Sequence, residues 1–272
     1  MKLTCYGTAA AEAIPGLYCS CGVCQEARRL GGKEIRARHM SAIDKDIQLD
    51  IGPDLFYHIY VHGFEPRRVN YLLITHAHGD HFSGDLLNMR TRPFALKLDQ
   101  PMQVIGSRET IGFLRGALGG DVSAYGIKPV GISPYQTIAL DEQTQVTALP
   151  ANHAPGMGAM IYLISRGGRR LLYAHDTGPF FPEVTGFLQG RGLDAVSLDC
   201  TGVYNGAGDH HMTLAQCEAM VSALMENGGL KKDAKVLVNH FSHGGGGLHR
   251  QLEQEARKRG WLAAFDGMET EI

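Results

Sequence analysis

Thr75-His76-Ala77-His78-Gly79-Asp80-His81 decides how the rest of the chain is read. It follows Tyr71-Leu72-Leu73-Ile74, an apolar run with the length of a buried strand. Four potential metal ligands, His76, His78, Asp80 and His81, then arrive within six residues. In extended backbone alternate side chains share a face, so His76 and His78 point the same way. Gly79 permits a sharp turn, after which Asp80 and His81 can swing to a second point nearby. Imidazole together with carboxylate suits zinc, manganese or iron, and a bound cation compensates for crowding so many desolvated polar groups. The plainer alternative is a solvated histidine-rich loop. That suits a single histidine after a strand far better than it suits H-x-H-x-D-H.

The wider composition is that of an ordinary soluble globule. Of 272 residues, 44% are apolar and 20% charged, with a formal net charge of −2. Such a balance gives no general attraction to nucleic acid or to anionic membranes. Met1-Lys2-Leu3-Thr4-Cys5-Tyr6 alternates like a strand and lacks the apolar core and cleavage site of a signal peptide. No apolar run approaches the roughly 18 residues of a membrane span. There are six cysteines, and Cys19, Cys21 and Cys24 crowd into one loop, which points to thiolate–metal ligation in a reducing cytoplasm rather than to disulfides. With no repeat and no low-complexity linker, one domain over residues 1–272 is expected.

Taken in order, the chain alternates strands and helices. A first strand near Lys2 to Tyr6 leads through the cysteine loop to a helix from about Val23 to Leu30, which Gly31-Gly32 stops. A hairpin near Ser41 to Asp50 precedes a helix from Asp54 to Val61. Phe82 to Met89 reads as a helix starting at the histidine cluster, and Arg90 to Pro101, with two prolines and no clear period, as a surface excursion over the site's mouth. Ser107 caps a helix running to about Leu118, and Thr213 caps another to about Met225. Further potential ligands sit where strands end: His153 after Val146 to Leu149, Asp176 after Arg170 to Ala174, Asp199 after Leu193 to Leu198, and His240 after Lys235 to Val238. His175 is expected to face outward, and His39, His58, His62 and His249 to be surface or core residues.

The His76–His81 stretch resembles the signature of the metallo-β-lactamase fold superfamily. Cys19-Ser20-Cys21-Gly22-Val23-Cys24 narrows the resemblance to its PhnP-like branch, the phosphoribosyl cyclic phosphate phosphodiesterases. The resemblance runs from Gly7 to His243 and implies an α/β fold, the four-layer αββα sandwich. It implies that His76, His78 and His153 hold one divalent metal and that Asp80, His81 and His240 hold a second, with Asp176 bridging both. Manganese and zinc both suit that set. It further implies that a hydroxide shared by the two metals attacks phosphorus in line. The leaving oxygen then needs a proton, and the family places a histidine for this near Gly208-Asp209-His210-His211-Met212-Thr213. His211 fits an H-x-T spacing and His210 is the alternative, with Asp209 able to orient either ring. Asp80 counts both as a ligand and as part of the catalytic set. Asp199 competes with Asp176 as the bridge, and Thr177-Gly178 favours Asp176, leaving Asp199 a structural or supporting acid.

Cys19-x-Cys21-x-x-Cys24 supplies three soft ligands, and zinc wants a fourth. In the PhnP-like branch a histidine three residues past the last active-site histidine closes such a site, and here that is His243. A structural zinc would then staple the N-terminal loop to the loop bearing His240. Gly244 to Gly247 reads as a loose connector, although its amides could meet a phosphate. Cys5, Cys200 and Cys217 read as core.

The expected activity is a metal-dependent phosphoric diester hydrolase, acting by resemblance on 5-phosphoribosyl 1,2-cyclic phosphate in phosphonate breakdown. The partner would be a small phosphorylated sugar, with neither membrane nor nucleic acid; a homodimer is left open. Three alternatives stand beside it. An RNA-processing phosphodiesterase would need a basic arm, for which Arg90, Arg92 and Lys97 are a thin candidate. A thioester or lactam hydrolase is another, and a non-catalytic PqqB-like protein, keeping the cysteine zinc alone, is the last.

Overall fold

The computed structural model describes residues 1–206 and 208–272. The first half builds β1 (Lys2–Gly7), α1 (Gly22–Leu30), β2 (Met40–Ile43), β3 (Ile47–Leu49), α2 (Leu55–His62), β4 (Tyr71–Leu73), β5 (Met102–Gly106), α3 (Arg108–Ala117) and β6 (Ile127–Gly131). The second half builds β7 (Thr137–Ala139), β8 (Thr144–Pro150), β9 (Met160–Arg166), β10 (Arg169–Ala174), α4 (Pro182–Leu188), β11 (Leu193–Asp199), α5 (Leu214–Glu226), β12 (Leu230–Asn239), α6 (His249–Lys258), β13 (Leu262–Ala263) and β14 (Met268–Glu271). They form two sheets of seven strands, ordered β14-β1-β2-β3-β4-β5-β6 and β13-β12-β11-β10-β9-β8-β7.

Period-2 alternation decides which side chain enters which layer. Leu73 and Ile105 of the first sheet meet Tyr162, Ile164, Tyr173 and Leu237 of the second, filling the space between the sheets. Their neighbours Leu72, Ile74 and Val104 face the other way and bury against Leu55 of α2 and Leu114 of α3. On the far side, Ile161, Leu163, Leu172 and Val196 bury against Val184 of α4, Val221 of α5 and Leu252 of α6. Helix, sheet, sheet and helix therefore stack with three apolar seams between them, the αββα sandwich.

The helix starts follow local chemistry. The Ser107 hydroxyl accepts from the Thr110 amide at 3.1 Å. At α5, Thr213 and Gln216 form a reciprocal capping box, with bonds of 2.8 and 3.3 Å.

Several expectations need correction. Phe82–Met89 does not form an α-helix from the histidine cluster; the segment is a 3-10 helix over Gly84–Arg90. α4 was not expected, because it is short and carries Gly186. The excursion after Arg90 folds back on the first sheet's helical layer. Arg90 donates to the carbonyls of Tyr125 and Gln100, so it is not a free arm for RNA. Gly244–Gly247 is not a loose connector: a Cβ on Gly245 would lie 2.3 Å from the Thr201 carbonyl. Among the described residues no helix is long and apolar enough to cross a membrane.

Candidate metal centre

The candidate ligands sit at the C-terminal ends of parallel or mixed strands, where loops can converge without breaking sheet pairing. β3 pairs in parallel with β4, with Leu49 opposite Leu73, so Asp50 and Thr75 leave the sheet side by side. β10, β11 and β12 run parallel, and Asp176, Asp199 and His240 leave the second sheet together. Asp50, Asp176 and His240 have positive φ, at 64°, 47° and 60°. Non-glycine residues adopt that conformation at a cost, and its concentration here turns three side chains inward.

Two groups of ligand atoms result, each within 4.8 Å of one another: His76, His78 and His153 in one, Asp80, His81, Asp176 and His240 in the other. In the first, His76 Nε2 and His153 Nε2 stand 2.9 and 3.3 Å from His78 Nδ1. In the second, His81 Nε2 lies 3.2 Å from Asp80 Oδ2. Asp176 joins the groups. Its Oδ2 is 2.6 Å from His81 Nε2 and 3.4 Å from His76 Nε2, and its Oδ1 is 3.2 Å from His240 Nε2. Despite these short separations, His81 Nε2, His240 Nε2 and Asp176 Oδ1 are buried without a properly directed hydrogen bond. Lone pairs that crowd together yet do not aim at one another suit divalent cations, and leaving such groups unsatisfied would otherwise be costly. The residues present therefore fit a two-metal site.

Supporting groups fix the rings from behind. Asp50 Oδ2 accepts from His81 Nδ1 at 2.8 Å, and its Oδ1 accepts from the Thr75 amide at 2.7 Å. His153 Nδ1 donates to the His210 carbonyl at 3.3 Å, so Nε2 faces the cluster. Thr201 Oγ1 lies 2.8 Å from His240 Nδ1. His211 Nδ1 is 2.9 Å from Asp199 Oδ2 and 3.5 Å from Asp176 Oδ1. The loop bearing it comes close because residue 178 is glycine; a Cβ there would lie 1.8 Å from the Asp209 carbonyl oxygen.

The electrostatics follow the carboxylates. Burial and the neighbouring imidazoles hold His76 well below the usual histidine value. Burial opposes charge on His81 too, but Asp176, Asp50 and Asp80 outweigh it and raise that ring well above the usual value. Burial would raise Asp176, yet His240 and His81 keep it well below the carboxylate range. Burial pulls His211 down, and its bond to Asp199 more than reverses this, lifting it to about 9. A field that draws protons onto these rings draws cations as well.

The family model described as "Beta-lactamase superfamily domain" matches residues 46–238, a span that holds every one of these ligands except His240. The chain belongs to the beta-lactamase superfamily. Among solved structures this superfamily member is similar to Zn2+-bound PqqB from Methylobacterium extorquens, with a TM-score of 0.77 and 17% identity over 100% of both chains. It is similar to a new diphosphatase from the PhnP family, with a TM-score of 0.74 and 20% identity over 100% of this chain and 96% of that one. Human tRNase Z, short form, matches with a TM-score of 0.67 and 16% identity over 100% of this chain and 99% of that one. No curated protein matches the sequence.

This beta-lactamase superfamily chain has a third ligand group. Cys19, Cys21, Cys24 and His243 bring their ligand atoms within 4.8 Å of one another. His243 Nδ1 lies 3.8 Å from Cys19 Sγ and 3.6 Å from Cys21 Sγ, close to the roughly 3.6 Å edge of a tetrahedral zinc shell. Its Nε2 is 3.8 Å from Glu12 Oε1, the carboxylate partner common behind metal-bound histidine. The Cys24 amide helps bring the Cys21 thiol down to about 7. All six cysteines are free, and Cys5, Cys200 and Cys217 are buried away from this group.

Two placements depart from expectation, those of Asp209 and His175, while the two candidate acid histidines are separated by the structure. His210 stands exposed, its ring 6.3 Å from that of His153, while His211 lies in the cluster. Asp209 does not orient either ring through its side chain; Asp199 holds His211, and Asp209 offers only its carbonyl, to Asn152 at 3.0 Å. His175 does not face outward. β10 is flanked by β9 and β11, and His175 is fully buried, its Nδ1 2.8 Å from His39 Nε2 and its Nε2 2.7 Å from Ser197 Oγ. His39, His58 and His249 are likewise buried. Asp50 was missed altogether; the one signal available was an acid ending a strand directly before Ile51-Gly52.

Proposed function

We propose that the protein is a metal-dependent phosphodiesterase acting on a small phosphorylated sugar, with a cyclic phosphodiester such as 5-phosphoribosyl 1,2-cyclic phosphate as the preferred substrate. The observation that carries this reading is Asp176, one carboxylate touching both histidine groups, with His211 beside it at 3.5 Å. Two divalent cations, manganese or zinc, held by His76, His78 and His153 and by Asp80, His81 and His240 with Asp176 between, would supply Lewis acidity and a water ionised near neutral pH. The chain's own contribution is placement and proton supply. Asp199 holds His211 by Nδ1, which leaves Nε2 to face a substrate oxygen. Raised to about 9, that imidazole carries a proton at neutral pH and can pass it to the leaving oxygen. Asp80 and Asp176 would hold the cations in place, so that positive charge meets the reacting phosphoryl group.

The likeness to a PhnP-family diphosphatase and the Cys19-Cys21-Cys24-His243 group both favour the PhnP-like assignment. The complete histidine–carboxylate set speaks against a non-catalytic PqqB-like protein. A structural zinc on reduced thiols suits a cytoplasmic setting. The direct test is hydrolysis of bis(p-nitrophenyl) phosphate and of 5-phosphoribosyl 1,2-cyclic phosphate, with manganese, zinc or no added metal. Metal-dependent cleavage of both, faster for the cyclic sugar, is expected. Lactam or thioester turnover without diester cleavage would overturn the reading.

A further inference from the structure

Asn152 opens the loop between β8 and β9, directly after the bond from the Ala151 amide to the Ala159 carbonyl, 3.0 Å long. Its backbone is spent on the segment after Asp176. The Asn152 amide donates to Thr177 Oγ1 at 3.0 Å, and the Asn152 carbonyl accepts from the Gly178 amide at 3.1 Å. Its side chain reaches further. Nδ2 donates to the Pro179 carbonyl at 3.2 Å and to the Asp209 carbonyl at 3.0 Å. A carboxamide has two N–H donors, and both are used. The group cannot be turned over, because Oδ1 would then face two carbonyl oxygens. One residue therefore fastens three segments together: its own, which carries His153, the one that follows Asp176, and the one that leads to His211.

The third segment has little else to hold it. Among the described residues the Asp209 carbonyl meets no donor but Asn152 Nδ2, and the His210 carbonyl none but His153 Nδ1, at 3.3 Å. Asp209 and His210 are both exposed, so burial does not replace those bonds. Gly178 lets the two sides meet, since a Cβ there would lie 3.0 Å from Asn152 Nδ2 and 1.8 Å from the Asp209 oxygen. Asp199 grips the His211 ring from the end of β11, and Asn152 holds the backbone two residues earlier. His211 Nδ1 is 3.5 Å from Asp176 Oδ1. A small shift of this backbone would therefore change where the ring meets the centre, and geometry there is worth a great deal of rate.

We propose that Asn152 is a positioning residue, which registers the segment bearing His211 against the loops bearing His153 and Asp176 and so places the proton donor beside the metal centre. The inference rests on the phosphodiesterase reading, in which His211 protonates the leaving oxygen. The test compares the parent with Asn152→Ala and with Asn152→Asp, which keeps the shape and loses both N–H donors. In zinc-loaded, ¹⁵N-histidine-labelled protein, the Nδ1 protons of His211 and His81 each face a carboxylate and serve as separate magnetic resonance probes. Both variants should speed exchange of the His211 proton with water by about tenfold or more, as local opening does. The His81 proton and the metal content should stay as in the parent. On 5-phosphoribosyl 1,2-cyclic phosphate kcat should fall by about 10–100-fold, since a misplacement of roughly 1 Å can cost that much. Bis(p-nitrophenyl) phosphate, whose leaving group needs no proton, should be cleaved at close to the parent rate. Four results would overturn the inference: an unprotected His211 proton in the parent, a parent-like one in either variant, a parent-like rate in either variant on a cyclic sugar that the parent cleaves, or loss of both imidazole signals or of metal together. A change confined to His211 in a protein that cleaves neither diester would count against the reaction and in favour of the placement by Asn152.

Discussion

Asp199 Oδ2 accepts the Nδ1–H of His211 at 2.9 Å, while its Oδ1 accepts the Met212 and Thr201 amides at 3.1 and 3.0 Å. The carboxylate is fully buried and has no freedom to turn. It therefore sets both the tautomer and the tilt of His211. His211→Ala should lower kcat by about 10²–10⁴ on an alkyl diester, the usual worth of a positioned general acid. On bis(p-nitrophenyl) phosphate the loss should be much smaller, because that leaving group departs without a proton. Metal content, read by elemental analysis, should stay at the parent level. Metal loss in this variant would mean that the ring is a ligand instead.

Asp50 should matter through His81 alone. It lies behind the ring, away from any substrate, and joins His81 Nδ1 at 2.8 Å to the Thr75 amide at 2.7 Å. Asp50→Asn keeps the shape and removes the charge that orients and polarises the imidazole. Metal affinity at the Asp80–His81–Asp176–His240 group should fall by about 10–100-fold, measured by competition with a chromophoric chelator. Unchanged affinity would show that the carboxylate only packs.

Cys21→Ala should remove one zinc per chain and leave the histidine groups able to load. The residue is on the exposed side of a loop whose other fastenings are Arg28 and Glu12, so the chain should still fold. A lower thermal midpoint is expected, since zinc binding stabilises the folded loop. Stoichiometry equal to that of the parent would remove the structural-zinc idea.

Much of this arrangement was legible because it depends on local pattern. His76 and His78 follow β4, His240 follows β12 and Asp176 lies just past β10, so the alternation of a strand and its end identify them. The layers were legible for the same reason, since Leu72 and Leu73 must enter different seams. Asp50 was not, because its role comes from the parallel pairing of β3 with β4, a partner more than twenty residues away that no local period announces. His175 was misread because its burial depends on neighbours on both edges of β10. His210 and His211 could not be separated by spacing; the turn before α5, held by Asp199, decides between them.

His249 gives a pH dependence separate from the metal centre. It starts α6, is buried, and lies with Nδ1 3.0 Å from the Arg36 guanidinium. Burial lowers its pKa to about 4, and the Arg36 and Lys33 charges push the same way against a weaker pull from Glu253. The folded value is thus below the ordinary 6.5, so between pH 6.5 and about 4 the unfolded chain takes a proton that the folded chain refuses. Stability from this group is fully present above pH 6.5 and is lost as pH falls through that window. His249→Gln keeps an acceptor for Arg36 and removes the titration. Urea unfolding at several pH values across the window should give a shallower slope for the variant, by up to about 1.4 kcal/mol per pH unit. Parallel slopes for the two proteins would show that His249 does not titrate differently on folding.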